Sequence, residues 1–175
     1  MSQYLADFWQ KVKDDLTVRF LTDERFQLTP DDRRAVEEAR DLIGRVYKYK
    51  VCHVASCAFF GSGEFKHGAH VYCRRLHEFS QCAEARIIEH AEWADLTGKP
   101  NKIMTLATFH GSHDKLGNRI GKPQLISPCP RCLRLLEQVS PDVLIVVDLD
   151  GQGRLAKIPL EAIEQFRHPL KHNGE

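Results

Sequence analysis

Residues 143–149 are VLIVVDL, an almost unbroken apolar segment followed by the turn signal Asp150-Gly151. A strand that is apolar at nearly every position is typical of one that is covered on both faces of its sheet. Such a sheet needs helices on each side, so this segment predicts a layered α/β domain. The chain of 175 residues is long enough for one domain of this kind.

Other helical and strand-like segments lie before and after this strand in the sequence. Apolar residues recur at helical spacing over 4–21, 30–46, 82–96 and 130–139, and β-forming residues cluster over 50–60, 65–72, 103–109 and 154–158. A last helix is expected from Pro159. The pattern predicts a three-layer α/β/α domain with a mixed central sheet of about five strands. We expect residues 1–28 to form an extra N-terminal helical extension and residues 29–175 to form the main domain.

Charge and hydropathy narrow the possible partners. The 25 Lys and Arg residues nearly balance the 24 Asp and Glu residues, for a net charge of +1, and no basic block is present. This balance argues against nucleic acid as a partner and favours a small diffusible ligand. No apolar run reaches the length of about 18 residues that a membrane span needs. The first residues alternate charges with aromatics, unlike a signal peptide, so we expect a cytoplasmic protein.

Two short motifs that contain cysteine lie at the starts of predicted helices. Cys82-Ala83-Glu84 begins one helix, and Cys129-Pro130-Arg131-Cys132 begins the next. Helix N-termini stabilise thiolates, and three sulfurs leave the fourth position of a tetrahedral metal open to water. Glu84, two residues after a ligand, is placed to move a proton from that water. This spacing is the signature of zinc-dependent base deaminases, with one zinc ion per chain.

Other interpretations of these motifs remain open. His90-Ala91-Glu92 also fits the first half of the signature, but only about two helical turns follow it before Gly98, so we favour Cys82 and Glu84. The Cys-Pro-Arg-Cys sequence also resembles a thiol-redox pair. A non-catalytic zinc-binding module would need a fourth protein ligand. Three residues are candidates for that ligand: Cys73, His110 and His113. Cys52 and Cys57 have apolar neighbours and are expected to be core residues.

The chain is identified as a member of the cytidine deaminase superfamily, in the branch whose first zinc ligand is cysteine, which includes blasticidin deaminases. Residues 34–57, 126–135 and 143–163 resemble the family's opening helix and strand, its zinc-binding turn and its closing elements. The resemblance implies a hydrolase of cyclic amidine C–N bonds, which releases ammonia from a cytosine-like nucleoside, base or related heterocycle. It implies zinc ligation by Cys82, Cys129 and Cys132, with Glu84 as proton shuttle. It also implies a homodimer or homotetramer.

The sequence departs from the family in the segment before the first motif. Nucleoside-specific members carry Asn-x-Glu-Asn where this chain has residues 70–75, HVYCRR, and Ala85 replaces the usual arginine. The resemblance assigns Arg131 to offsetting the thiolate charge. We expect substrate contacts from other residues near the motifs, namely Arg74, Arg75, His77 and Ser127. The polar loop 110–124 is a candidate lid.

Overall fold

The computed structural model describes residues 3–49, 51–72, 81–98, 101–114 and 116–163. Within these ranges, four α-helices and six strands follow one another. Their bounds are α1 Gln3–Thr22, α2 Pro30–Val46, β1 Val54–Phe60, β2 Phe65–Ala69, α3 Ala83–Leu96, β3 Ile103–His110, β4 Gln124–Leu125, α4 Pro130–Val139, β5 Leu144–Asp148 and β6 Leu155–Pro159. Short 3-10 turns cover Glu24–Phe26 and Leu160–Ala162. None of the described helices is both long enough and apolar enough to cross a membrane.

The strands form one mixed sheet in the order β2-β1-β3-β5-β6, with β4 paired to β3. Strands β3 and β5 are parallel, and every other pairing is antiparallel. In strand β5, which lies between β3 and β6, Ile145 faces one hydrophobic core and Val146 faces the other. The apolar segment at 143–149 predicted a strand that is covered on both faces of the sheet. The structure confirms this prediction.

Helices cover both faces of the sheet and give the three predicted layers. On one face, Ala35, Ala39 and Ile43 of α2 pack against β1 and β3. On the other face, α3, α4 and the end of α1 share a second core. Phe20 of α1 is buried in that core, with its ring in edge-to-face contact with Phe26 at 4.7 Å. The end of the N-terminal helix is thus part of the packed domain.

Two elements differ from the sequence-based expectation. The helix expected from Pro159 begins as the 3-10 turn Leu160–Ala162, and its continuation lies outside the described residues. Strand β4 was not predicted, because it contains two residues and exists only through its pairing with Phe109 and His110 of β3. Its sequence carries no strand signal of its own.

Loop 110–124, the candidate lid, is attached to the domain at several described points. The Asp114 carboxylate accepts hydrogen bonds from the backbone N–H groups of Leu116 and Asn118, each at 2.9 Å. Gly117 has φ +90°, and a Cβ there would lie 2.3 Å from the ring of Tyr49, so only glycine fits this contact. These contacts fix the position of the loop in this conformation, and its role as a lid stays a prediction.

Candidate metal centre and catalytic site

The two cysteine motifs meet because helices α3 and α4 begin at the same end of the sheet. Cys82 is the N-cap of α3 and Cys129 is the N-cap of α4, and both have extended backbone angles. Neither residue's side chain caps its own helix, so the sulfurs are free to face each other. The positive ends of two helix dipoles therefore point toward one cluster of sulfurs.

Strand β2 sets the position of α3 through a close backbone contact. Gly68 lies directly against Ala83, the first residue of α3, and a Cβ at Gly68 would lie 1.9 Å from the Ala83 carbonyl oxygen. Only glycine permits this approach. Since Cys82 and Glu84 flank Ala83, this contact also fixes where both predicted site residues lie.

The sulfur atoms of Cys82, Cys129 and Cys132 all lie within 4.8 Å of one another. The Cys82 and Cys129 sulfurs are 3.7 Å apart. A tetrahedral zinc ion with Zn–S bonds of about 2.3 Å requires its sulfur ligands to be about 3.8 Å apart. The donor set and its spacing therefore fit zinc bound by three cysteines.

The three thiols do not ionise equally. Hydrogen bonds from the Cys132 thiol and from the backbone N–H groups of Cys132 and Arg131 lower the pKa of Cys129 to about 5. Burial and the neighbouring Cys129 raise the pKa of Cys82 to about 11. The pKa of Cys132 is also raised, by its hydrogen bond to Cys129 and by burial. Binding of one cation by all three sulfurs would therefore displace the protons of Cys82 and Cys132.

Glu84 lies in the first turn of α3, immediately beside the cysteines. Its side chain is 4% exposed, and the Cys132 thiol donates to its Oε2 at 3.9 Å. Burial raises the pKa of Glu84 to about 7. A carboxyl group with this pKa can both accept and release a proton near neutral pH. The structure therefore brings the predicted proton shuttle to the predicted metal ligands.

The remaining predicted site residues are less directly placed. Ser127 is half-buried in the segment before Cys129. In this segment, the Ile126 N–H donates a hydrogen bond to the Thr108 carbonyl of β3 at 2.8 Å. The Arg131 side chain is exposed, and the interaction found with Cys129 comes from the Arg131 backbone N–H. Arg74, Arg75 and His77, and the alternative ligand Cys73, lie outside the described residues.

The competing motif lies later in α3, where Glu92 lines a cleft together with Cys82 and Cys132. His90 and Glu92 are exposed on α3. Among the described residues, a second group of potential metal ligands consists of Glu38, Cys57 and His67. It lies on the α2 face, where the Glu38 and His67 side chains pair at 2.7 Å. Cys52 and Cys57 are both buried, as expected of core residues.

Sequence reasoning missed a group of histidines beside the cysteine cluster. His53, His70 and His110, which we call the histidine wall, lie at the ends of β1, β2 and β3. Only His110 was considered, as a possible fourth zinc ligand, and the described residues do not group it with the three sulfurs. The available signal was three histidines that each lie within or next to a predicted strand.

Comparison with known proteins gives one informative relative in sequence. The chain is 26% identical over 149 residues to a blasticidin-S deaminase of Bacillus cereus, covering 84% of this chain and 96% of the relative. No family model matches the chain.

Solved structures share the fold. A cytidine deaminase from Bacillus anthracis superposes with a TM-score of 0.60 at 16% identity, over 78% of this chain and 89% of the other. A cytidine deaminase from Burkholderia pseudomallei superposes with a TM-score of 0.55 at 18% identity, over 78% and 96%. The layered α/β fold with its clustered cysteines is thus of the cytidine deaminase type. The chain is thus similar in fold to cytidine deaminases and in sequence to a blasticidin-S deaminase.

Proposed function

We propose that the protein is a zinc-dependent hydrolytic deaminase that converts the amino group of a cytosine-like nucleoside, base or related small heterocycle to a carbonyl. The observation that carries the proposal is the convergence of three cysteine sulfurs and a buried carboxyl group at the starts of α3 and α4. The likeness to a blasticidin-S deaminase over nearly its whole length supports the same reaction class.

In this proposal the cysteines hold the metal and Glu84 transfers protons. Cys82, Cys129 and Cys132 would hold the zinc ion, which supplies Lewis acidity and so makes water easier to deprotonate at neutral pH. The Glu84 carboxylate accepts a proton at Oε as the water oxygen forms its bond to the amine-bearing carbon. Glu84 donates that proton to the ring nitrogen beside this carbon. It then takes the second proton from the new hydroxyl group and gives it to the leaving amino nitrogen, as the C–N bond breaks and the carbonyl forms. Water is consumed and ammonia leaves, so atoms and charge balance.

Burial explains why the Glu84 carboxyl group can both accept and donate a proton near neutral pH. In water a glutamate has a pKa near 4.3 and is a poor proton donor at neutral pH. The apolar surroundings that keep Glu84 4% exposed penalise its charged form. Its protonated and ionised forms therefore lie closer in free energy, and this similarity favours a proton shuttle.

Ammonia release tests the proposal. The zinc-loaded protein is assayed with cytidine, 2′-deoxycytidine, cytidine monophosphate, cytosine, guanine and blasticidin S. We expect ammonia from at least one cytosine-bearing compound, and none after zinc is removed. Ammonia release that continues after zinc is removed would overturn the proposal. So would the absence of ammonia from every compound when the protein holds one zinc ion per chain.

We also propose that the protein forms a homodimer or homotetramer. Trp93 and Leu96 lie near the end of α3 with side chains 70% and 81% exposed. Large apolar side chains exposed close together are typical of contact surfaces. Light scattering after size-exclusion chromatography should give a mass two or four times that of the chain. A Trp93→Ser variant should shift the population toward monomer, and a monomeric parent protein would contradict the proposal.

A further inference from the structure

The second group of potential metal ligands lies on the α2 face of the sheet, opposite the face that α3 and α4 cover. Cys57 of β1 and His67 of β2 are directly opposite each other in an antiparallel pair, so their side chains share one face. Glu38 reaches the same face from α2, and its Oε2 atom is 3.8 Å from the Cys57 sulfur and 2.7 Å from the His67 Nε2 atom. Three elements therefore bring a thiol, an imidazole and a carboxylate to one point.

The Glu38 carboxylate is oriented so that one of its oxygens faces the other two side chains. Its Oε1 atom accepts a hydrogen bond from Arg34 Nε at 2.7 Å, and the guanidinium carbon of Arg34 lies 4.3 Å from the centre of the Phe65 ring. Burial alone would raise the pKa of Glu38, but the hydrogen bonds from Arg34 and His67 outweigh it and lower the pKa. An ionised carboxylate held by a partner on its outer oxygen is typical of a ligand in a metal site.

The spacing of the three atoms fits a divalent transition-metal ion after a small adjustment. All three lie within 4.8 Å of one another. In a tetrahedral zinc site with bonds of about 2.0–2.3 Å, sulfur and oxygen ligands are about 3.6 Å apart, and oxygen and nitrogen ligands about 3.4 Å. The distance between Glu38 and His67 must therefore increase by about 0.7 Å. The His67 side chain is 40% exposed and has room for this movement, and the same exposure leaves a fourth position open to water.

The surroundings of Cys57 favour a metal ligand over a reactive thiol. The residue is fully buried, and burial together with the charge of Glu38 raises the pKa of its thiol to about 12. A nucleophilic cysteine needs the opposite, an accessible thiol with a lowered pKa. A metal cation can displace the proton of such a thiol. A thiolate combined with an imidazole selects a cation such as zinc, because magnesium and calcium prefer oxygen ligands.

We propose that Cys57, His67 and Glu38 form a second metal site, which binds a divalent transition-metal ion of the zinc class. On binding, the thiol proton leaves to solvent and the imidazole keeps its proton on Nδ1. The site is weaker than the cysteine cluster, since it offers one thiolate instead of three and a buried thiol must lose its proton. Zinc supplied in an amount equal to the protein therefore fills the cysteine cluster first. The second ion would connect α2 to β2 at the residue before Gly68, whose backbone contacts the start of α3.

Cobalt(II) is the probe, because a thiolate bound to it absorbs light by charge transfer and because its affinity for a given site is below that of zinc. The full chain is loaded with zinc, passed through gel filtration in metal-free buffer, and titrated with cobalt while released zinc is measured. Zinc should stay in the cysteine cluster because it binds there more tightly. We expect one further cobalt ion per chain, with thiolate absorption and a dissociation constant of about 10–100 μM.

Single variants with matched controls locate this ion. Cys57→Ser should remove the thiolate absorption and weaken cobalt binding more than about 100-fold, and His67→Gln should weaken it at least about 10-fold. Cys52→Ser changes another buried cysteine and His90→Gln an exposed histidine of α3, and both should leave the titration unchanged. If Cys57→Ser fails to fold, His67→Gln and Glu38→Gln are used instead, because neither side chain is fully buried.

Three results would overturn the proposal. The first is a parent protein that retains its zinc and shows no thiolate absorption with cobalt. The second is absorption that appears only as zinc is released, because the cobalt would then occupy the cysteine cluster. The third is absorption that the His67 and Glu38 variants leave unchanged. The comparison of variants stands whether or not the cysteine cluster retains zinc, so its outcome is separate from that of the proposed function.

Discussion

At the scale of single residues, two features act on the pKa of the Glu84 carboxyl group. Burial raises this pKa, and the hydrogen bond from the Cys132 thiol lowers it by a smaller amount. The isosteric substitution Glu84→Gln removes the proton-carrying group and keeps the volume and the contact to Cys132. We expect deamination to fall about 100- to 10,000-fold, with zinc content and thermal midpoint close to those of the parent. Ammonia release and metal analysis measure the two effects on one sample. Glu37→Gln, exposed on α2, is the control and should keep full activity. Parental activity in Glu84→Gln would exclude Glu84 as the proton shuttle.

At the scale of elements, the contact between β2 and α3 decides where the catalytic helix begins. Gly68→Ala places a methyl group against the Ala83 backbone, which cannot yield as a flexible side chain can. We expect a loss of about 2–3 kcal/mol in the free energy of unfolding and weaker zinc binding, because Cys82 moves with α3. Gly61→Ala is the control, since its Cβ would have ordinary contacts at 3.8 Å. Denaturant titration and zinc affinity check both effects, and equal stability of the two variants would contradict this account.

The start of α2 is attached to the sheet through one buried carboxylate. Asp32 is 2% exposed, forms the capping box with Thr29, and pairs with Lys157 of β6 at 2.7 Å. The hydroxyl group of Thr105 in β3 donates to the same side chain at 2.5 Å. Burial alone would raise the pKa of Asp32, but the hydrogen bonds from Lys157, Thr105 and Thr29 outweigh it and lower the pKa.

This carboxylate predicts a defined pH dependence of stability. Because the pKa of Asp32 is lower in the folded than in the unfolded chain, its contribution is present above about pH 4 and is lost as the pH falls through the folded value. We expect Asp32→Asn to cost about 3 kcal/mol in the free energy of unfolding at pH 7, and less below pH 4. Asp31→Asn, exposed in the same turn, should be nearly neutral. Unfolding curves between pH 3 and 7 check this, and a cost independent of pH would contradict it.

The elements that sequence predicted are those with a local physical signal. Helix α2 has its N-cap at Thr29, and the start of α3 at Cys82 was found from the motif and the turns that follow it. The histidine wall could not be found in this way, because His53 and His110 are 57 residues apart and meet only through the β1–β3 register. Strand β4 has the same origin in long-range pairing. Local patterns thus predicted the elements and the sulfur cluster, and the strand register added the polar wall beside it.

At the scale of the whole molecule, zinc would link the two helices that carry the site to the shared core beneath them. Metal that binds only the folded chain stabilises it by about 2.7 kcal/mol at 100 times its dissociation constant. For a chain of this size, this corresponds to an increase of about 5–10 °C in the thermal midpoint. Chelation should therefore lower the midpoint of the parent protein, and added zinc should restore it.

Cysteine variants determine whether this linkage belongs to the predicted cluster. In Cys129→Ser, one of the three sulfurs is lost, so zinc should no longer shift the midpoint and the bound metal should fall well below one ion per chain. Cys52→Ser changes a buried cysteine outside the cluster. It should unfold at a lower temperature than the parent yet keep the full zinc-dependent shift. Scanning calorimetry with and without zinc, with metal analysis of each sample, makes the comparison. A shift that persists in Cys129→Ser and disappears in Cys52→Ser would place the metal elsewhere in the molecule.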